Sequence, residues 1–314
     1  MAPADQDGVL KPTSTDFPPI RACLFDMDGL LINTEDLYTL CSNIVLNKHG
    51  RPNLPWSVKA QLMGIPGSSN GDVFHNWAQL PISREQYKQE QAEQHKIHFP
   101  ECQPLPGVEK LLKNLRGAKT TQGLQVEIAL ATSSEKKNYE LKTSRPFTKS
   151  VLEIIPEEHR ILGDDPRIQH GRGKPAPDIY LLALQSINST LPEGVPNIEP
   201  KECLVFEDSV LGIEAGRRAG MRAVWVPHPN LAAEYKGKEK DVLAGRIGLL
   251  PIGNDEQLGV VDDGWAEQLP NLENFPYEKY GIAPPLGMSR TVRSQLENRS
   301  TRSNRKYPPV SGGR

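Results

Sequence analysis

The 314-residue chain has few cysteines, no long apolar run and almost no surplus charge, and each absence excludes a class of protein. No uninterrupted apolar stretch approaches the roughly 20 residues of a membrane-spanning helix. Residues 1–20 are polar, acidic and proline-containing rather than a basic segment followed by an apolar one, and they read as a disordered N-terminus. A cytoplasmic protein with no membrane partner is the expectation. Cys23, Cys41, Cys102 and Cys203 have neither zinc-ligand spacing nor the density of a disulfide framework, so they read as reduced packing residues. A formal net charge of -2 offers no general attraction to nucleic acid. The charge is uneven: seven Arg or Lys and one Glu make residues 285–314 about +6 and leave about -8 on the remainder. That end is poor in apolar residues and reads as a disordered basic tail.

Several familiar site motifs are missing as well. Gly173-Lys174 is followed by Pro175 rather than Ser or Thr, so there is no P-loop. Gly67-Ser68-Ser69-Asn70-Gly71 fits a nucleophile-elbow pattern, but no strand precedes it, as that elbow requires. The seven histidines show no paired ligand spacing.

What is present begins at Arg21 to Phe25, a short apolar, β-prone run without helical spacing that reads as a buried strand. It leads into Asp26-Met27-Asp28-Gly29. Residues two apart in extended chain point the same way, so Asp26 and Asp28 can present two carboxylates at one place. Bare, they would repel and partly protonate unless a cation shares them or their roles divide. A solvated turn is the plainer alternative. An EF-hand loop starting at Asp26 is excluded, because Leu31 and Leu37 stand where it needs Gly and Glu.

Downstream, helical patterns cover 34–49, 57–63, 72–80 and 84–97, and no strand signal interrupts residues 33–100. The stretch from residue 33 to about 100 therefore reads as an inserted helical module. Beyond Leu105-Pro106-Gly107 strands and helices alternate, with strands at 126–131, 203–206 and 222–226 and helices at 108–116, 135–142, 177–187 and 210–219. That alternation predicts an α/β fold, a doubly wound parallel sheet covered by helices on both faces, made from residues 21–32 and 105–284. In such sheets the site lies beyond the carboxyl ends of the strands, where Asp26, Thr132, and Glu207 with Asp208 fall, with Lys174 before a helix. Singly each has an ordinary reading: Thr132 as a helix cap, Lys174 as a solvated loop lysine, Glu207-Asp208 as acids favoured by a helix dipole. Together they suit Mg2+ and a phosphate.

The order Phe25-Asp26-Met27-Asp28-Gly29, Leu130-Ala131-Thr132-Ser133-Ser134, Gly173-Lys174-Pro175 and Val205-Phe206-Glu207-Asp208-Ser209 resembles the haloacid dehalogenase superfamily of phosphohydrolases. Lys142-Thr143-Ser144-Arg145 and Leu162-Gly163-Asp164-Asp165-Pro166 look like its pseudouridine-5'-phosphatase branch. The resemblance implies a Rossmann-like core with residues 33–104 as a helical cap. It also implies Asp26 as nucleophile, Asp28 as acid and base, and Thr132 and Lys174 as phosphate-holding catalytic residues. Mg2+ would be held by Asp26, Asp28 (through its backbone carbonyl), Glu207 and Asp208. Ser133 and Arg145 are candidate substrate contacts, with a basic helix end as the other reading of the Arg145 stretch. Where the branch has His-Gly-Lys-Pro, Arg172-Gly173 is added here between His170-Gly171 and Lys174. The expected partner is a small-molecule phosphate ester and the expected state a monomer. A phosphosugar mutase of the same fold, or a phosphatase for flavin mononucleotide or glycerol phosphate, shares all four motifs.

Overall fold

A computed structural model describes residues 17–64 and 71–285. The basic tail from 286, residues 1–16 and most of the Gly67–Gly71 stretch lie outside the described residues. Among the described residues eight strands follow in chain order: β1 Ala22–Phe25, β2 Lys119–Thr120, β3 Glu127–Ala131, β4 Arg160–Ile161, β5 Cys203–Glu207, β6 Arg222–Trp225, β7 Ala266–Gln268 and β8 Ile282–Ala283. Six of them form one sheet in the order β4-β3-β1-β5-β6-β7, while β2 and β8 pair separately and antiparallel. Every pairing in the large sheet is parallel.

β1 lies between β3 and β5, with Phe25 opposite both Leu130 and Phe206. Both of its faces are covered, which is why its sequence is an unbroken apolar run. Cys23 and Phe25 enter one apolar cluster, and Ala22 and Leu24 enter the other. Helix Val108–Arg116 seals the first layer with Val108, Leu111, Leu112 and Leu115, at the spacing of one helical face. Helix Asp178–Asn188 covers the second with Ile179, Leu182, Ala183 and Ile187. All four cysteines are buried and free.

The chain leaves the sheet after β1 and returns along itself: Ile32 bridges Pro104, Asn33 N donates to Gln103 O at 3.0 Å, and Leu105 N to Leu31 O at 2.9 Å. Between these crossings lie helices Thr34–Lys48, Trp56–Lys59, Gly71–Ala78 and Arg84–His98. The first, third and fourth share a small apolar cluster of their own around Val45, Leu46, Phe74 and Tyr87, while Trp56 of the second packs against the core of the sheet. Connections from β1 run to one side through β3 and β4, then cross back to β5, so the order reverses beside β1. A crevice opens at such a point beyond the strand ends.

Several short elements lie outside the sequence pattern, and three features show why. Of residues 57–63 only 57–59 lie in a regular helix, Trp56–Lys59; 60–63 continue as turns, and Gly64 at positive φ then redirects the chain. Helix Pro146–Leu152 and edge strand β7 carry no clear periodicity of their own; the sequence Ala266-Glu267-Gln268 becomes a strand by pairing with β6. Tertiary pairing overrides weak local propensity in such short edges.

Candidate active site

Asp26 is the first residue past β1. Its N–H donates to Phe206 O at 3.0 Å, so the sheet ladder fixes it against the end of β5. Lys174 Nζ lies 2.6 Å from Asp26 Oδ1 and 2.6 Å from Glu207 Oε1, and all three side chains are buried. Glu207 is held from every side: Tyr180 Oη donates to Oε1 at 2.6 Å, while Ser209 N and Oγ donate to Oε2 at 3.1 and 3.0 Å. Ser209 in turn caps the next helix by accepting from Gly212 N at 3.0 Å. Asp208 differs from Glu207. Its Oδ2 is buried without a hydrogen-bond partner among the described residues.

One ligand atom each from Asp26, Glu207 and Asp208 lies within 4.8 Å of the others. A single ammonium thus faces three buried carboxylates. Burial pushes Asp26 up to about 8 against the pull of Lys174, and the Glu207 and Asp28 carboxylates push the same way. Asp208 is raised well above the ordinary carboxylate range, by burial first and then by Glu35, Asp26 and Glu207. The donor set is all oxygen and short of positive charge, and it leaves one acceptor unpaired. It fits a hard divalent cation.

Gly29 makes the close approach possible. It sits at φ +77°, and a Cβ there would fall 2.2 Å from Asp208 Oδ2.

Asp28 has a separate set of partners. Ser134 Oγ donates to Oδ2 at 2.6 Å, Lys142 Nζ to Oδ1 at 2.5 Å, and Thr132 Oγ1 stands 3.4 Å from Oδ2. Burial alone would raise this carboxyl, but the charge and hydrogen bond of Lys142, with those of Ser134 and Thr34, outweigh it and hold it below its ordinary value. Lys142 shows the mirror effect: burial disfavours its charge, Asp28 and the hydroxyl of Tyr38 restore it, and the ammonium is held above its usual range. The Thr132–Ser134 loop rests on Gly163, whose N–H donates to Ser134 O at 2.9 Å and where a Cβ would lie 2.1 Å from Ser133 O. Asp164 Oδ1 accepts from Lys136 N at 3.0 Å, which anchors the start of helix Lys136–Lys142. The Gly163-Asp164 pair is thus scaffold for the loop and for Lys142.

A cavity of about 640 Å³ opens on these groups, lined at its base by Asp26, Asp28, Ser133 and Asp208 and above by Tyr38, Ser42, Tyr87, Gln91 and His95 from the helical segment. Of the residues singled out in the sequence, Asp26, Asp28, Thr132, Lys174, Glu207 and Asp208 come together, and Ser133 faces the same cavity, its Oγ 3.5 Å from Gly64 O. Arg145 does not join them. It stands outside the cavity lining and pairs with Glu101 at the exposed start of helix Pro146–Leu152. Its neighbours Thr143 and Ser144 bond back to Tyr139 O and Leu141 O. Arg145→Ala is therefore expected to leave kcat/KM on a phosphate ester within about twofold of wild type, because the side chain lies outside the cavity, and to change stability by about 1 kcal/mol or less, the scale of an exposed ion pair; steady-state kinetics and thermal melting check it. The added Arg172 pairs with Asp178 at 2.7 Å and leaves Lys174 in place. Tyr38 and Tyr180 are site residues that the strand-end reasoning did not reach, and Lys142 and Ser134, quoted above within motifs, had been given no role there, since which face of a helix turns inward is set by packing.

Residues 23–226 match the family of haloacid dehalogenase-like hydrolases. The chain belongs to this family. Among its haloacid dehalogenase-like relatives, a probable pseudouridine-5'-phosphatase of Saccharomyces cerevisiae is 36% identical over 263 residues, covering 84% of this chain and 98% of that one. A (DL)-glycerol-3-phosphatase of Arabidopsis thaliana is 31% identical over 234 residues, 74% of this chain and 72% of that one. The crystal structure of a HAD hydrolase of family IA from Entamoeba histolytica shares the fold, with a TM-score of 0.56 at 20% identity over 83% of this chain and 97% of that one. No helix among the described residues of this family member is long and apolar enough to cross a membrane.

Proposed function

We propose that the chain is a Mg2+-dependent phosphatase that hydrolyses a small phosphate monoester through an aspartyl phosphate on Asp26, with pseudouridine 5'-phosphate the leading substrate. The observation that carries this reading is Asp26 itself, a buried carboxylate at the end of the central strand, with Lys174 on one oxygen and the unpaired Asp208 oxygen nearby, at the base of a roofed cavity. Asp26, Glu207, Asp208 and the backbone carbonyl of Asp28 would hold Mg2+, which supplies the positive charge that draws a phosphate dianion towards a carboxylate.

In the first step an Asp26 carboxylate oxygen attacks phosphorus, the bond from phosphorus to the ester oxygen breaks, and the departing oxygen takes a proton from the Asp28 carboxyl. An arriving phosphate dianion favours that protonated form, because like charges raise a carboxyl pKa. In the second step water attacks phosphorus and gives its proton to the Asp28 carboxylate, the Asp26–phosphorus bond breaks, and inorganic phosphate leaves. Thr132 and Lys174 hold phosphate oxygens on which charge spreads during both transfers. Residues 33–104 act as the cap that closes the cavity over a metabolite-sized leaving group. The probable pseudouridine-5'-phosphatase among the relatives supports the choice of leading substrate.

A screen of phosphorylated metabolites with and without Mg2+ tests this reading. Metal-dependent release of inorganic phosphate, fastest from pseudouridine 5'-phosphate, is expected. A positional isomer of a sugar phosphate formed without free phosphate would replace it with a mutase.

A further inference from the structure

Among the described residues Lys59 and Lys142 are buried lysines that the steps above do not use, and Lys142 is the more fully enclosed. Its side chain is 0% exposed, and burying an ammonium is costly unless every donor is paired. All three N–H donors are paired: with Asp28 Oδ1 at 2.5 Å, Ser134 Oγ at 2.6 Å and Tyr38 Oη at 2.8 Å. The rings of Tyr38 and Phe99 complete the enclosure, with centroids 4.7 and 4.9 Å from Nζ. These partners come from two parts of the chain. Asp28 and Ser134 belong to loops at the edge of the sheet, whereas Tyr38 lies on helix Thr34–Lys48 and Phe99 follows helix Arg84–His98 in the inserted segment.

Replacing a whole buried ion pair by apolar side chains is often neutral or favourable for stability, whereas removing one partner alone leaves a buried charge behind, so stability by itself gives no reason for the Lys142–Asp28 pair. Geometry does. Lys142 takes one oxygen of Asp28 and Ser134 takes the other, and Lys142 also bonds Ser134, closing a triangle around the carboxyl group. A carboxylate anchored at both oxygens cannot turn about its terminal torsion, which is otherwise broad. Its side chain remains 17% exposed, on the lining of the cavity.

We infer that Lys142 is a positioning residue that orients Asp28 for proton transfer and, through Tyr38, makes that orientation depend on the docking of the helical segment. The inference rests on the phosphatase reading and adds to it a link between cap and acid. Proton transfer from Asp28 matters for an alkyl phosphate, whose leaving oxygen needs a proton. It matters little in the first step for 4-nitrophenyl phosphate, whose phenolate leaves unaided. Since kcat/KM reports events up to departure of the leaving group, it separates a positioning role from a structural one.

The experiment compares wild type, Lys142→Met and Tyr38→Phe on 4-nitrophenyl phosphate and on the alkyl phosphate that wild type turns over fastest, with thermal melting to establish folding. Lys142→Met is expected to lose about a hundredfold in kcat/KM on the alkyl ester, the scale of a misplaced catalytic group, and to stay within about threefold on the aryl ester. Tyr38→Phe, which keeps the ring and removes one hydrogen bond, is expected to lose about fivefold on the alkyl ester alone, as one net hydrogen bond is worth about 1 kcal/mol. If Lys142→Met does not fold, Tyr38→Phe decides by the same selectivity. Equal losses on both esters, or none, overturn the inference while wild-type turnover leaves the phosphatase reading standing. A wild type that cleaves neither ester overturns both.

Discussion

Asp26→Asn is expected to lower turnover by more than about a thousandfold, the scale seen when a covalent nucleophile is removed, without unfolding the protein. The amide is nearly isosteric with the carboxylate but cannot form an acyl phosphate, and it contributes no charge to the metal site. The fold should tolerate the change, because Asp26 is raised to about 8 by burial, with repulsion from the Glu207 and Asp28 carboxylates added against the pull of Lys174. Removing its charge relieves that repulsion, and Lys174 keeps Glu207 as a partner at 2.6 Å. Thermal melting should give a midpoint at or above that of wild type. Activity within tenfold of wild type would remove Asp26 from the nucleophile's role.

Asp28→Asn is expected to cost about 10² to 10⁴ in kcat/KM on an alkyl phosphate, the usual contribution of a positioned acid or base. The loss should shrink on 4-nitrophenyl phosphate, whose leaving group needs no proton. On that substrate kcat should still fall, since hydrolysis of the aspartyl phosphate needs a base whatever group has left. The asymmetry distinguishes an acid and base from a residue that holds the metal or the fold, loss of which would lower kcat/KM on every ester alike.

Much of this site was legible before any coordinates because its residues stand at strand ends. An apolar run such as Cys23 to Phe25 can only be buried, and in a parallel sheet its carboxyl end faces the crevice, so Asp26, Thr132 and Glu207-Asp208 converge from topology alone. Gly29, directly after the two acids, adopts positive φ, and no Cβ fits there beside Asp208.

Lys142 was not legible in the same way. Within Lys136-Lys137-Asn138-Tyr139-Glu140-Leu141-Lys142 nothing in the periodicity distinguishes the one lysine that turns inward, because its partners Asp28 and Tyr38 are each more than 100 positions away. Arg145 is the converse case. A forked cation three residues further on looks suited to a phosphate, yet helix Pro146–Leu152 begins there and points it at Glu101. Edge strand β7 was missed because Ala266–Gln268 has no apolar run and owes its conformation to β6.

Trapping the phosphorylated residue tests the central claim most directly. The Asp28→Asn protein, mixed with Mg2+ and 4-nitrophenyl phosphate, should accumulate the acyl phosphate because its hydrolysis is slowed. Acid quenching followed by borohydride reduction and peptide mass analysis is expected to find homoserine at position 26 and nowhere else. Reduction at another carboxylate, or turnover of the ester with no reducible acyl phosphate at position 26, would contradict the account.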